Sequence, residues 1–149
     1  MRVRLVAVAA LAVIAACQKK GAPPGDVEVA RRLAADQRIL IEQALADARA
    51  KNPSRQVDRG FTSCASVVGV LGRLKASEEA QLALDLEELC GHALPIAELT
   101  AAVEAVEGDA AACRANSQVP LAKTALEQAG RLDAEATKLI ARYEARCRT

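Results

Sequence analysis

Four cysteines and one histidine are the most chemically distinctive side chains in the body of this sequence. The cysteines are Cys64, Cys90, Cys113 and Cys147, and His92 is the sole histidine. No two of these cysteines lie within four positions of each other, whereas zinc knuckles and thiol-redox pairs need close CxxC-type spacing. No cysteine stands three residues before Cys90, so the run from Cys90 to His92 does not complete a covalent haem motif. The spacing therefore argues against zinc, redox and haem sites built on these cysteines.

The N-terminus has the pattern of a secretory signal. Arg2 and Arg4 make it basic, and the 12 residues from Leu5 to Ala16 are all apolar. A transmembrane helix needs about 20 apolar residues, so this run is too short to span a bilayer. A basic start, a short apolar core and small residues at its end are typical of a signal for export.

This apolar run ends in Val13-Ile14-Ala15-Ala16-Cys17, which resembles the lipobox of bacterial lipoproteins. Ile14 stands where that family usually has Leu, and the resemblance covers residues 1–17 only. It implies cleavage before Cys17, a thioether-linked diacylglycerol on the Cys17 thiol and often a further acyl chain on the new amino group. Several acyl chains anchor a protein to a membrane far more firmly than one. Cleavage by the ordinary signal peptidase, which gives a soluble protein, and retention of an uncleaved anchor are the alternatives.

The residues after Cys17 predict a tether and suggest a location. In enteric bacteria an Asp at the position after the lipidated cysteine favours the inner membrane, so Gln18 favours the outer membrane, with the domain in the periplasm. The stretch 17–26 is rich in Gly and Pro, which suits a flexible spacer. We therefore expect a signal peptide at 1–16, a lipid-anchored tether at 17–26 and a helical-bundle domain at 27–149.

Hydrophobic periodicity predicts an all-α domain. Ala makes up about 23% of the chain, only 1% is aromatic, and no stretch alternates with a period of two. Apolar residues recur at helical spacing in 27–50, in about 57–75, in 77–90 with Gly91 as the stop, from Pro95 to Cys113, and from Leu121 to Tyr143. The prediction is a small helical bundle of four to six helices, cross-linked by disulfides.

Some positions carry more specific expectations within these helices. Val57, Phe61, Cys64, Val68 and Leu71 are spaced as the apolar face of one helix. Phe61 and Tyr143 are the two aromatic residues, and both are predicted to lie in the core. Gly69 and Gly72 cost helix propensity, so we interpret them as places where a neighbouring element approaches closely.

An exported chain with four remaining cysteines predicts two disulfides, for which three connectivities exist. A turn near Ala76 lies midway between Cys64 and Cys90, and positions equidistant from the turn of an antiparallel hairpin face each other. The sequence therefore favours Cys64–Cys90.

The remaining pair, Cys113–Cys147, requires the chain to turn near Gly130. A straight helix over 119–147 would hold its ends about 42 Å apart, whereas a disulfide needs Cα atoms within about 7 Å. Either Gly130 is a turn and Asp133 caps a new helix, which is the favoured case, or the pairing differs.

The sequence offers little for catalysis. His92 could act as a general base or a metal ligand, but a polar residue near a helix end is the simpler interpretation. Glu87 and Glu88 are adjacent, and adjacent residues on a helix do not face each other. No phosphate-binding glycine loop and no GxSxG turn occur. We therefore predict no catalytic, metal-binding or cofactor-binding residue, no cofactor and no enzymatic activity.

The function expected from these observations is binding or scaffolding through helix faces by a lipid-anchored cell-envelope protein. Its partners would be the membrane, through the N-terminal lipid, and an unidentified envelope protein. The mature chain would carry 18 basic and 19 acidic side chains, which gives no field to attract nucleic acid. The alternative is an inhibitor or accessory subunit of an envelope enzyme. An enzyme would instead show a pocket with polar groups converging around His92.

Overall fold

The computed structural model describes residues 24–52, 55–115 and 118–148. These residues contain no strand, and their α-helices are α1 (Pro24–Arg49), α2 (Val57–Lys75), α3 (Ala80–Glu88), α4 (Leu94–Gly108), α5 (Gln118–Gln128) and α6 (Ala134–Cys147). The π-helical segment Leu89–Ala93 joins α3 to α4, and the 3-10 helix Ala110–Arg114 follows α4. The segment from α3 to α4 runs on as one helix, so the described residues form five helices. The predicted all-α bundle is confirmed, and α1 begins within the stretch expected to be the tether.

The buried side chains form two cores. The N-terminal core lies among α1, α2, α3 and the start of α4, and the C-terminal core lies among the rest of α4, α5 and α6. The larger members of the N-terminal core are Ile41, Leu45, Leu74, Leu86 and Leu94. The larger members of the C-terminal core are Leu99, Val103, Val119, Leu126 and Leu139. Phe61 packs against both cores and Tyr143 against the C-terminal core, but both are partly buried side chains at the edge of the core and not buried members of it.

Helices α1 and α2 form the most extensive helix pair in the molecule. They approach closely at Gly60, where an added Cβ would lie 2.7 Å from Ala44 Cβ and 2.9 Å from Leu94 Cδ2. The expectation that Gly69 and Gly72 are close-approach positions is wrong, because nothing lies within 4 Å of a Cβ built on either residue.

The buried face of α2 also differs from the predicted one. Val67 is fully buried, whereas Val68 is 66% exposed. The period of three and four was right, but the sequence alone did not distinguish two adjacent valines, each of which fits a helical apolar face.

The continuous helix Ala80–Gly108 is the central element of the fold. The expected stop at Gly91 is wrong, because the backbone continues through the π-helical segment into α4. Gly91 is needed for another reason, since an added Cβ would lie 2.8 Å from Ala129 Cβ at the end of α5. By length and composition this helix could cross a membrane. Its place between the two cores accounts for its apolar character, because both of its ends must be buried by other helices.

The chain turns at Gly130, as the favoured disulfide pairing requires. Gly130 has a φ of 65°, a left-handed conformation that suits glycine. Asp133 then begins α6, and its Oδ1 accepts a hydrogen bond from the Ala136 backbone amide at 2.9 Å. The expected turn and the expected cap are therefore both present.

The disulfides join Cys64 to Cys90 and Cys113 to Cys147, which are the two pairs that the sequence favours. Each has a Cα–Cα distance of 5.6 Å. The first bond ties α2 to the π-helical segment, and the second ties the 3-10 helix to the end of α6. Each half of the described domain therefore contains one disulfide.

Candidate functional site

His92 lies in the π-helical segment, and two carboxylates from different elements flank its ring. On one side, His92 Nδ1 is 3.1 Å from Glu88 Oε1. Arg131 donates a hydrogen bond to the other oxygen, Glu88 Oε2, at 2.9 Å. Arg131, and to a lesser extent His92, hold the pKa of Glu88 below its ordinary value. The Glu88 side chain is therefore a carboxylate at neutral pH, and His92 Nδ1 carries the hydrogen that it accepts.

On the other side, His92 Nε2 faces the start of α6. Asp133 Oδ2 is 3.5 Å away, while Asp133 Oδ1 caps the helix through Ala136. The hydrogen bond from the Ala136 amide is the main cause of the lowered pKa of Asp133, and the charges of His92 and Arg131 add to it. His92 Nε2 is buried and has no hydrogen-bond partner among the described residues.

Glu135 completes this group. One ligand atom from each of His92, Asp133 and Glu135 can be chosen so that all three atoms lie within 4.8 Å of one another. Carboxylates are favoured in the first turn of a helix, which accounts for the positions of Asp133 and Glu135 on α6. The preference for acidic residues at a helix start does not explain why His92, in the π-helical segment, lies next to these two carboxylates.

An open cavity of about 470 Å³ lies beside the histidine. Its polar lining includes Glu88, His92 and Glu135 and, from α4, Thr100 and Glu104. Sequence reasoning treated His92 as a polar residue at a helix end and did not find this convergence. The signal that could have revealed it is the turn at Gly130, which brings the start of α6 back towards α3.

A second polar site lies between α1, the start of α2 and α4. Glu98 is 1% exposed, although it carries a carboxyl group. Arg55 Nη2 donates a hydrogen bond to Glu98 Oε2 at 3.1 Å. Burial raises the pKa of Glu98, and the hydrogen bond and charge of Arg55 oppose that rise. Arg55 Nε is also buried without a hydrogen-bond partner in the described part of the chain.

A cavity of about 280 Å³ opens over this ion pair. Its polar lining includes Gln43 and Asp47 of α1, Asn52, Gln56 and Arg59, together with the pair itself. Sequence reasoning missed Glu98. Its position next to Leu99 in an apolar segment could have suggested that it is buried, but nothing in the sequence indicated its partner. Arg55 is 43 residues away in sequence.

The third feature is an exposed face of α2 without charge. Between Arg59 and Arg73 the helix carries no charged residue, and its exposed positions in that interval are Thr62, Ala65, Ser66, Val68, Gly69 and Gly72. We call these six residues the uncharged face of α2. From Thr62 to Gly72 it extends about 15 Å along the helix axis.

No family model, no curated protein and no solved structure matches this chain. Cys17, the predicted lipidation site, lies outside the described residues.

Proposed function

We propose that this protein is a lipid-anchored binding module of the bacterial cell envelope, and that the uncharged face of α2 is its protein-binding surface. The anchor is the lipid on Cys17 that the lipobox resemblance implies. The observation that carries the binding role is the exposed, charge-free length of α2 in a chain that is 26% charged. Such a surface costs little to desolvate, because no ion has to leave water when a partner covers it.

The composition of the face favours a protein partner over a lipid surface. Helices that lie on membranes present large apolar side chains, with Lys and Arg on the opposite face. The uncharged face offers only Val68 as a larger apolar group, and Gly69 and Gly72 leave the helix backbone open to close approach. Small residues of this kind allow another helix to pack at short distance, so the partner is an envelope protein that presents a complementary uncharged helix or groove.

The rest of the domain holds this face in place. The disulfide from Cys64 to Cys90 fixes the middle of α2, and Val67 and Leu74 anchor its inner side in the core. A rigid surface loses little conformational entropy on binding. This rigidity supports a role in docking or scaffolding.

The lipid anchor is tested by the intact mass of protein extracted from the membrane. We expect the mass of residues 17–149 with a diacylglyceryl group, alone or with one further acyl chain. Replacing Cys17 with Ser is expected to move the protein from the membrane fraction to the periplasmic fraction, whereas the control Gln18→Ala stays membrane-bound. A Cys17→Ser variant that remains firmly in the membrane would show that the lipid anchor is wrong.

The docking face is tested by photo-crosslinking in living cells. A photoreactive residue at position 65 is expected to give a discrete adduct with another protein, and the same residue at position 138, on an exposed part of α6, is not. Adding Gly69→Arg should abolish the adduct at position 65 without lowering the thermal midpoint, since nothing surrounds Gly69 and Arg is a better helix former than Gly.

Three results would contradict the docking proposal. An adduct of twice the mass of the chain would show self-association instead of a partner. An adduct that survives Gly69→Arg would show that another surface is used. The absence of any adduct at position 65, in cells that retain the anchored protein, would show that this face does not bind a protein partner.

A further inference from the structure

We propose that His92, Asp133 and Glu135 form a zinc-binding site, a role that goes beyond the proposed docking function. The π-helical segment supplies the histidine, and the first turn of α6 with its capping residue supplies the two carboxylates. These are the ligand types that zinc accepts in proteins.

The hydrogen bonding of the His92 ring supports this assignment. An ionised carboxylate can only accept hydrogen bonds, so the contact of Nδ1 with Glu88 Oε1 at 3.1 Å places a hydrogen on Nδ1. When the ring is neutral, Nε2 carries a lone pair and faces Asp133 Oδ2 at 3.5 Å, which is also an acceptor. A protonated ring directs a hydrogen at the same oxygen instead. A cation held between the two atoms, a proton or a metal ion, stabilises them, and the measurements below distinguish the two.

The distance between these two atoms also fits zinc. Bond lengths of about 2.0–2.2 Å and tetrahedral geometry place neighbouring ligand atoms about 3.4 Å apart. His92 Nε2 and Asp133 Oδ2 are already at 3.5 Å. The three ligand atoms lie within 4.8 Å of one another, and the exposed Glu135 side chain can complete the set by rotation. Calcium and magnesium prefer ligand sets made of oxygen alone, so the imidazole favours zinc.

The surroundings supply the supporting groups of a metal site. Histidine ligands commonly donate their other ring N–H to a carboxylate, which fixes the ring and its tautomer. Here Glu88 is the carboxylate that accepts the hydrogen bond from His92 Nδ1. Arg131 pairs with Glu88, so the negative charge of Glu88 is already neutralised. The carboxylates of Asp133 and Glu135 remain to balance the two positive charges of zinc. Three protein ligands leave a fourth position for water or a ligand, beside the open cavity that His92 and Glu135 line.

The test is calorimetric titration of zinc sulfate into the detergent-solubilised mature protein with both disulfides intact. We expect one equivalent to bind, and His92→Gln to weaken binding more than tenfold. Asp133→Ser removes a ligand but preserves a side chain that can cap α6, and it should also weaken binding more than tenfold. Glu88→Gln should weaken binding about 10–100-fold through the orientation of the ring. The control Glu127→Gln, on an exposed position of α5, should bind as the parent does.

Two further measurements make the outcome decisive. Zinc should raise the thermal midpoint of the parent but not that of His92→Gln, because a ligand stabilises only the form that binds it. Nitrogen NMR of the ring should show hydrogen on Nδ1 and metal on Nε2. The proposal is overturned by the absence of saturable binding at millimolar zinc, by affinity that His92→Gln leaves unchanged, or by a ring that keeps hydrogen on both nitrogens in the presence of zinc.

Discussion

The N-terminal and C-terminal halves of this domain are both helical and each contains one disulfide, yet they are held together in different ways. In the N-terminal half, α1 and α2 pack directly against each other along their length, and the buried Cys64 is part of the core. In the C-terminal half, α5 and α6 pack mainly against α4 and hardly against each other. There the disulfide joins two half-buried residues, Cys113 and Cys147, outside the core cluster.

This difference shows what a cross-link contributes in each setting. The Cys64–Cys90 bond links α2, which is already held by its long interface with α1, to the π-helical segment. The Cys113–Cys147 bond holds the end of α6 where side-chain packing is thinner, together with the two hydrogen bonds from Arg142 Nη2 to Glu107. We therefore expect the N-terminal half to depend on packing and the C-terminal half to depend on covalent closure.

Removing each disulfide in turn should produce the largest change in stability of the experiments that test this comparison. The loops of 26 and 34 residues predict a loss of about 3.5–4 kcal/mol for either pair in the chain-entropy model. The order of reduction separates the halves, because Cys64 is only 8% exposed. Mild dithiothreitol followed by alkylation and peptide mass analysis should label Cys113 and Cys147 first. Earlier labelling of Cys64 and Cys90 would contradict the proposed difference.

Two glycines of α2 give a matched test of packing in the N-terminal half. We expect Gly60→Ala to destabilise the domain by about 1–3 kcal/mol, because the new Cβ collides with Ala44 and Leu94. Gly69→Ala should instead stabilise it by about 0.5–1 kcal/mol, since it improves helix propensity in open space. Urea unfolding of both variants measures the effects. Equal effects of the two substitutions would mean that the contact at Gly60 does not limit packing.

The turn between α5 and α6 tests chain closure in the C-terminal half. Gly130→Ala should cost about 1 kcal/mol, because an L-residue is strained at a φ of 65°. Gly130→Asn is the control and should cost less, since Asn tolerates the left-handed conformation. Thermal unfolding with the disulfides intact provides the comparison. A variant Gly130→Ala as stable as the parent would show that the turn relaxes easily.

The smallest expected effect concerns pH and the ion pair that joins the halves. Burial raises the pKa of Glu98, so its contribution to stability is present below its ordinary value of 4.5 and is lost as the pH rises through its folded-state pKa. The stability of Glu98→Gln relative to the parent should therefore increase as pH rises from 4 to 7.

Glu28 provides a control of opposite sign. Hydrogen bonds from Arg31 and Arg32 lower the pKa of Glu28 to about 2, so its contribution is present above 4.5 and is lost as pH falls. Glu28→Gln should lose stability relative to the parent as pH rises from 2 to 4.5. Urea unfolding of both variants and the parent between pH 2 and 7 measures both slopes, and slopes of the same sign for the two variants would contradict the assignment.

Much of the fold could be predicted from local patterns in the sequence. The bounds of α2 follow from apolar spacing, and the turn at Gly130 follows from the requirement that Cys113 reach Cys147. Patterns failed where two adjacent residues fitted equally well, as with Val67 and Val68. They also failed where a glycine could serve more than one structural role. Gly91 fits the end of a helix by sequence, but in the structure it leaves room for Ala129 to pack against the backbone.

The candidate sites were less accessible to sequence reasoning. His92 was visible as the sole histidine, but its neighbours Asp133 and Glu135 lie more than 40 residues away in the sequence. The presence of these two carboxylates is already explained by the start of α6, where acidic residues are favoured, so nothing linked them to the histidine. Glu98 and Arg55 are likewise 43 residues apart. Periodicity describes which side of one helix is apolar, and it does not describe which polar side chains of different helices meet.

The sequence by itself determined the helical class and the approximate position of most helices, because each depends on residues close together in the chain. Only the tertiary structure decided that α3 continues through a π-helical segment into α4, that Glu98 is buried against Arg55, and that His92 faces the start of α6. The physical reason is that these features arise from contacts between helices. Their geometry is fixed by the packing of both cores around one central helix.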